Sequence, residues 1–127
     1  MGSKLNKDGR PTVKVSAREL VERLLEISDA CMVVPAHVWT PWYGLLGSKS
    51  GFDSLDECFE DMAAYVHAVK TGLSSDPEMN LGVAAVSKKA IVSFSDAHSL
   101  SNMGRELTIF EGNPSYPDLA FGLKKTD

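Results

Sequence analysis

The chain has 127 residues, enough for one domain with a single core and little room for a second. Hydrophobic residues make up 43% and charged residues 24%, which excludes a disordered tail. Thirteen Lys and Arg against 17 Asp and Glu give a net charge of -4, which excludes nucleic-acid binding through the global field alone. The longest apolar stretch, Cys31 to Ala36, falls far short of the roughly 20 residues of a spanning helix, so no membrane partner is expected. Met1-Gly2-Ser3-Lys4 lacks the apolar run of a secretory signal, and Gly2-Ser3 reads equally as a cloning remnant. Two cysteines, Cys31 and Cys58, form no Cys-x-x-Cys pair, which fits a reduced, cytoplasmic setting.

In chain order, residues 1–10 read as a flexible N-terminal segment. Ser16 and Glu19 have capping-box spacing, and Leu20, Val21, Leu24, Leu25 and Ile27 then predict a helix over Ala17 to Ser28. Cys31 to Pro35 reads as a short buried strand, and Ala36 to Asp53, with Pro41, Gly44, Gly47 and Gly51, as a long irregular segment. Ser54 and Glu57 repeat the capping signal ahead of a helix carrying Leu55, Phe59, Met62, Ala63 and Val66. His67 to Thr71 is a weaker strand, and Asp76-Pro77 opens a helix reaching Val86. Ala90 to Phe94 is the clearest strand. Ser95 to Arg105 is a polar loop, Leu107 to Phe110 a further strand, and Pro117 to Lys124 a closing helix. Strands alternating with helices predict an α/β fold with a mainly parallel sheet, functional residues lying beyond the carboxyl ends of its strands.

That address selects Ala36 to Tyr43, Thr71 to Asp76 and Ser95 to His98. Asp96 and His98, one residue apart after a strand, would share a side if the chain stayed extended. Carboxylate oxygen and imidazole nitrogen suit zinc, manganese or iron, and a bound cation acidifies water into a nucleophile. His37, at the end of the other strong strand, would complete a three-ligand cluster. Taken from spacing alone, the alternative that has Asp96 capping a turn, His98 facing solvent and His37 bonded to a carbonyl stands slightly ahead. Trp39, Trp42 and Tyr43 offer either faces for stacking on a nucleobase or a hydrophobic lid. Arg105 could reach a phosphate or line a solvated face. His67 reads as structural, and Cys31 and Cys58 as small buried apolar groups, since neither cysteine is flanked by basic residues.

Several segments carry a family resemblance: Pro35-Ala36-His37-Val38-Trp39-Thr40-Pro41-Trp42, Gly47-Ser48-Lys49-Ser50-Gly51-Phe52-Asp53-Ser54, Thr71-Gly72-Leu73-Ser74-Ser75-Asp76-Pro77, Ser95-Asp96-Ala97-His98-Ser99 and Gly104-Arg105-Glu106. In this order, from about Asn6 to Phe110, they resemble the endonuclease Q family of the PHP (polymerase and histidinol phosphatase) superfamily of metal-dependent phosphoesterases. The resemblance implies a distorted seven-stranded β/α barrel with its metal cluster at the carboxyl ends of the strands. It also implies a DNA-repair endonuclease nicking 5′ to deaminated bases or abasic sites. It makes His37, Asp96 and His98 metal ligands for zinc, manganese or magnesium, with Asp96 also catalytic; Trp39, Trp42 and Arg105, picked out by their own chemistry, are then the expected contacts to damaged DNA. Two departures stand out: the opening His-x-His segment is not present, and Lys70 stands where the family reads Glu. The expectation is therefore a single partial PHP-like domain over 1–127, holding its metal incompletely and weakly active or inactive alone. Alternatives are a non-catalytic remnant or subunit working through a partner chain or self-association at an exposed barrel edge, and a small-molecule phosphoesterase.

Overall fold

The structure is a computed structural model that describes residues 4–5, 11–41, 44–71 and 88–125. Near the start, β1 (Lys4–Leu5) pairs antiparallel with β2 (Pro11–Thr12). Helix α1 spans Ala17–Ile27. It begins where predicted because the Ser16 hydroxyl accepts a hydrogen bond from the Glu19 amide at 3.1 Å, satisfying one of the amides left open at a helix start. The return half of the box is not made: the Glu19 carboxylate pairs with Arg23 instead, at 2.5 Å.

Helix α2 covers only Leu55–Phe59 and continues as a 3-10 turn, Glu60–Tyr65. One regular helix through Val66 was expected. The break falls at Glu60, whose φ of 51° no α-helix accommodates. Its start follows the sequence: Ser54 Oγ accepts from the Glu57 amide at 3.0 Å, while the Glu57 carboxylate accepts from the Asp53 amide at 2.8 Å. Arg18 on α1 clamps the turn by donating through Nε and Nη2 to both oxygens of Asp61, at 2.7 and 3.0 Å. That guanidinium holds the Asp61 carboxyl below its ordinary range.

Strands β3 (Ala68–Thr71) and β4 (Ala90–Ser93) run parallel, in register from Ala68 opposite Ala90 to Thr71 opposite Ser93. Alternate residues serve two faces. Val69 packs with Val21, Val38, Leu55, Phe59 and Val66 under α1 and α2, with Ile91 against them. Ala68 and Val92 pack on Leu123 and Leu119 of the closing helix α3 (Tyr116–Lys124). The fold is thus α/β, with a parallel strand pair between helical layers. The helix expected from Asp76 to Val86 lies outside the described residues.

Two expected strands are corrected. Cys31 to Pro35 forms no regular ladder, although it runs beside β3: the Lys70 amide donates to Pro35 O at 2.8 Å and the Val38 amide to Lys70 O at 3.4 Å. A parallel partner would return its amide two residues after Pro35; here the return comes after three. The extra residue is a bulge at 36–37, where His37 has a φ of 54°. The alternation of a strand survives, Val33 packing in the first cluster and Met32 and Val34 in the second. Leu107 to Phe110 is not a strand. Thr108 Oγ1 accepts from the Ser93 amide at 2.8 Å and donates to Ser93 O at 2.9 Å, so a side chain occupies the groups that a backbone partner would take. Among the described residues no helix is long and apolar enough to cross a membrane.

Candidate functional site

Because β3 is bonded to the 35–38 segment on one edge and to β4 on the other, the chain leaves the sheet at His37 and Ser95-Asp96 on either side of the end of β3. His37 Nε2 and Asp96 Oδ2 meet there at 3.3 Å, both side chains about one-third exposed. Both residues adopt left-handed backbone, with φ of 54° and 48°. Such conformations in non-glycine residues persist only where surrounding structure enforces them. Gly44 is part of that enforcement: a Cβ at this position would lie 2.4 Å from both His37 O and Thr40 O, so only glycine lets the loop fold back on itself.

His98 departs from the expected cluster. The extended chain that would have aligned it with Asp96 is broken by the left-handed turn at Asp96, and its Nδ1 instead lies 2.9 Å from Asp96 O while the ring faces solvent. Trp39 is partly buried and packs against the core cluster under α1 and α2. Trp42 and Tyr43 lie outside the described residues. Arg105 is exposed, and its Nε donates to Ser95 O at 2.8 Å, which fixes the guanidinium beside the Asp96 turn.

The end of β3 supplies what the spacing of ligands did not single out. Lys70 is only 8% exposed and Thr71 only 1%. Among the described residues, Lys70 Nζ, Thr71 Oγ1 and Trp39 Nε1 are buried side-chain atoms with no hydrogen-bond partner. All three can donate, and all lie on this strand end or within two residues of His37.

A divalent cation can be tested against this arrangement. Two donors each about 2.0–2.2 Å from one tetrahedral ion lie about 3.4 Å apart, so the 3.3 Å between His37 Nε2 and Asp96 Oδ2 suits a shared ion. A catalytic zinc needs three protein ligands. Among the described residues no group of three His, Cys, Asp or Glu side chains is gathered in a way that could hold an ion. The described residues therefore fit two ligand positions and do not complete the shell.

No protein-family model matches the chain, and no solved structure matches it. Over 97 residues, 76% of its length, it is 34% identical to "Uncharacterized protein YqxK" of Bacillus subtilis (strain 168). The chain spans 24% of that curated relative.

Other candidates fall away on geometry. Cys58 is buried and burial pushes its thiol up, with Glu57 adding to the shift, as befits an inert core group. His67 immediately precedes β3 at the opposite end of the sheet, on a cleft of about 630 Å3 shared with Leu25, Met62 and Lys124. Burial holds its imidazole below the ordinary 6.5, helped by Lys124 and Lys89. A second cleft, about 530 Å3, lies along residues 110–116 and α3.

Proposed function

We propose that this chain is part of a PHP-type phosphoesterase domain of the endonuclease Q kind, acting on phosphodiesters of damaged DNA. In this reading β3, β4 and the bulged 31–38 segment are neighbouring staves of a distorted seven-stranded β/α barrel. The observation that carries it is the meeting of His37 and Asp96, 3.3 Å apart, at the carboxyl ends of parallel chain segments, where βα architectures keep their chemistry.

A divalent cation, when bound, would acidify water and stabilise charge developing on the phosphoryl oxygens. His37 and Asp96 would hold it, with His98, one residue beyond Ala97, as the nearest further imidazole. The carboxylate of Asp96 has a second oxygen that can accept a hydrogen bond from the attacking water, and Arg105, anchored on Ser95 O, presents a guanidinium to a backbone phosphate. The described residues supply two ligands, too few for strong coordination, and in this reading the chain alone is weakly active or inactive.

The test is calorimetric titration with zinc, manganese and magnesium beside nicking assays on uracil- and hypoxanthine-containing DNA. Weak metal binding lost in His37→Ala and Asp96→Asn, with little or no nicking, is the expected result. Metal binding indifferent to both substitutions would overturn the site, and robust cleavage would overturn the inactivity.

A second reading, a non-catalytic subunit working through a partner chain, is favoured by exposed apolar side chains: Ile27 at 80%, Leu100 at 87% and Ile109 at 83%.

A further inference from the structure

We propose that Arg105 and Thr108 are positioning residues that hold Asp96 in the left-handed turn where its carboxylate meets His37. The proposal rests on the His37–Asp96 pair being the functional site, and it names what builds that pair. Ala90 donates its amide to His67 O, so by the alternation of a parallel ladder Ser93 turns its own amide and carbonyl away from β3. The Thr108 hydroxyl takes both groups, accepting from the amide at 2.8 Å and donating to the carbonyl at 2.9 Å, and Ser93 Oγ donates to Glu106. Gly104, at a φ of 74°, reverses the chain so that these residues return to the end of β4. Glu106 and Thr108 are half-buried while Arg105, Leu107 and Ile109 are exposed, the alternation of an extended segment that fastens to β4 through its side chains.

The hold on Ser93 fixes where the chain leaves the sheet, just before Asp96. Arg105 sets the last plane. Its Nε donates to Ser95 O at 2.8 Å, and Ser95 O and the Asp96 amide belong to one rigid peptide unit, so this bond orients the plane from which the φ of Asp96 is measured. On the other side of the same Cα, His98 Nδ1 lies 2.9 Å from Asp96 O. A carbonyl oxygen only accepts, so Nδ1 carries the proton in this contact and the following peptide plane is held too. Both planes flanking Asp96 are thus tied to side chains, and the φ of 48° between them is one that a non-glycine residue keeps only under such constraint. Released from these ties, an aspartate returns to extended or right-handed backbone, and its carboxylate leaves the 3.3 Å contact with His37. Thr108 acts through Ser93, which separates its role from that of a ligand.

The experiment is NMR of the isotope-labelled full chain, with manganese binding by calorimetry as a second readout. A positive φ brings a residue's own amide and Hα protons close together, so Asp96 should give a strong intraresidue cross-peak in wild type. Thr108→Val keeps the shape of the side chain and deletes both hydrogen bonds, and Thr108→Ser restores the hydroxyl. The cross-peak should weaken in Thr108→Val and in Arg105→Met and keep its wild-type strength in Thr108→Ser. Manganese affinity, measured well below every Tm, should fall about tenfold in Thr108→Val, as when the support behind a ligand is lost, and stay at the wild-type value in Thr108→Ser. A threonine that only stabilised the fold would lower Tm and leave the affinity of the folded chain unchanged. A weak cross-peak in wild type, or a strong one retained in Thr108→Val or Arg105→Met, overturns the proposal. An equal loss in Thr108→Val and Thr108→Ser overturns it as well, because the hydroxyl would then not be what holds the turn. If Thr108→Val does not fold, Arg105→Met, at an exposed position, decides by its cross-peak. If wild type binds no manganese through His37 and Asp96, the metal reading falls and the cross-peaks alone decide this proposal. If manganese binding depends on both residues while the cross-peak stays strong in the variants, only this proposal falls.

Discussion

At the scale of single residues, the site depends on two left-handed positions that a strand pattern does not announce. His37 and Asp96 were legible as candidates because each follows an apolar strand-like run, and their meeting follows from the three parallel segments. His98 was misplaced because the alternation that would have aligned it ends at the φ of 48° on Asp96. Lys70 was legible as a substitution, but its burial depends on what packs around β3, and spacing carries no information about that. Gly44→Ala tests how tightly the His37 loop is determined. Its Cβ would press on backbone oxygens, which cannot turn aside as a side-chain tip can. A loss of about 1–3 kcal/mol in urea unfolding is expected, together with loss of the His37-dependent metal response. His67 gives a pH test. Its folded value lies below the ordinary 6.5, so the unfolded chain takes up the proton first as pH falls. Stability should decline as pH drops through about 6.5 and level off below the folded value, and His67→Gln should flatten that part of the profile.

At the scale of elements, the helix starts were written plainly in the sequence, since Ser16 and Ser54 each cap the amide three residues on. Their ends were less legible. α2 stops after five residues at a positive φ that glutamate gives no hint of, and the turn beyond it is held by Arg18 reaching across from α1. The strand expected at Leu107 to Phe110 has the right composition, yet Thr108 takes the Ser93 amide and carbonyl with its hydroxyl. Ser54→Ala should cost about 1 kcal/mol in urea unfolding, the usual worth of such a cap. Leu55→Ala, one residue later and 1% exposed, should cost about 2–5 kcal/mol, because it opens a cavity under β3. If the two losses come out equal, α2 is held by its cap and not by its seat in the core.

At the scale of the whole molecule, the α/β pattern was legible, and the described sheet realises it in one parallel pair with helices on both faces. What composition concealed is how much apolar surface remains outside. Ile27, Leu100, Met103, Leu107, Ile109 and Phe121 are all well exposed. Size-exclusion chromatography with light scattering over a concentration series should show association that grows with concentration and diminishes in Leu107→Ser/Ile109→Ser. A monomer at every concentration would remove the support for the partner reading.

The proposed activity requires that His37 and Asp96 form one site across the end of β3. Anomalous diffraction from crystals soaked in concentrated manganese tests this most directly. It should show a peak within coordination distance of His37 Nε2 and Asp96 Oδ2, and a map whose manganese peaks all lie away from both side chains would contradict it.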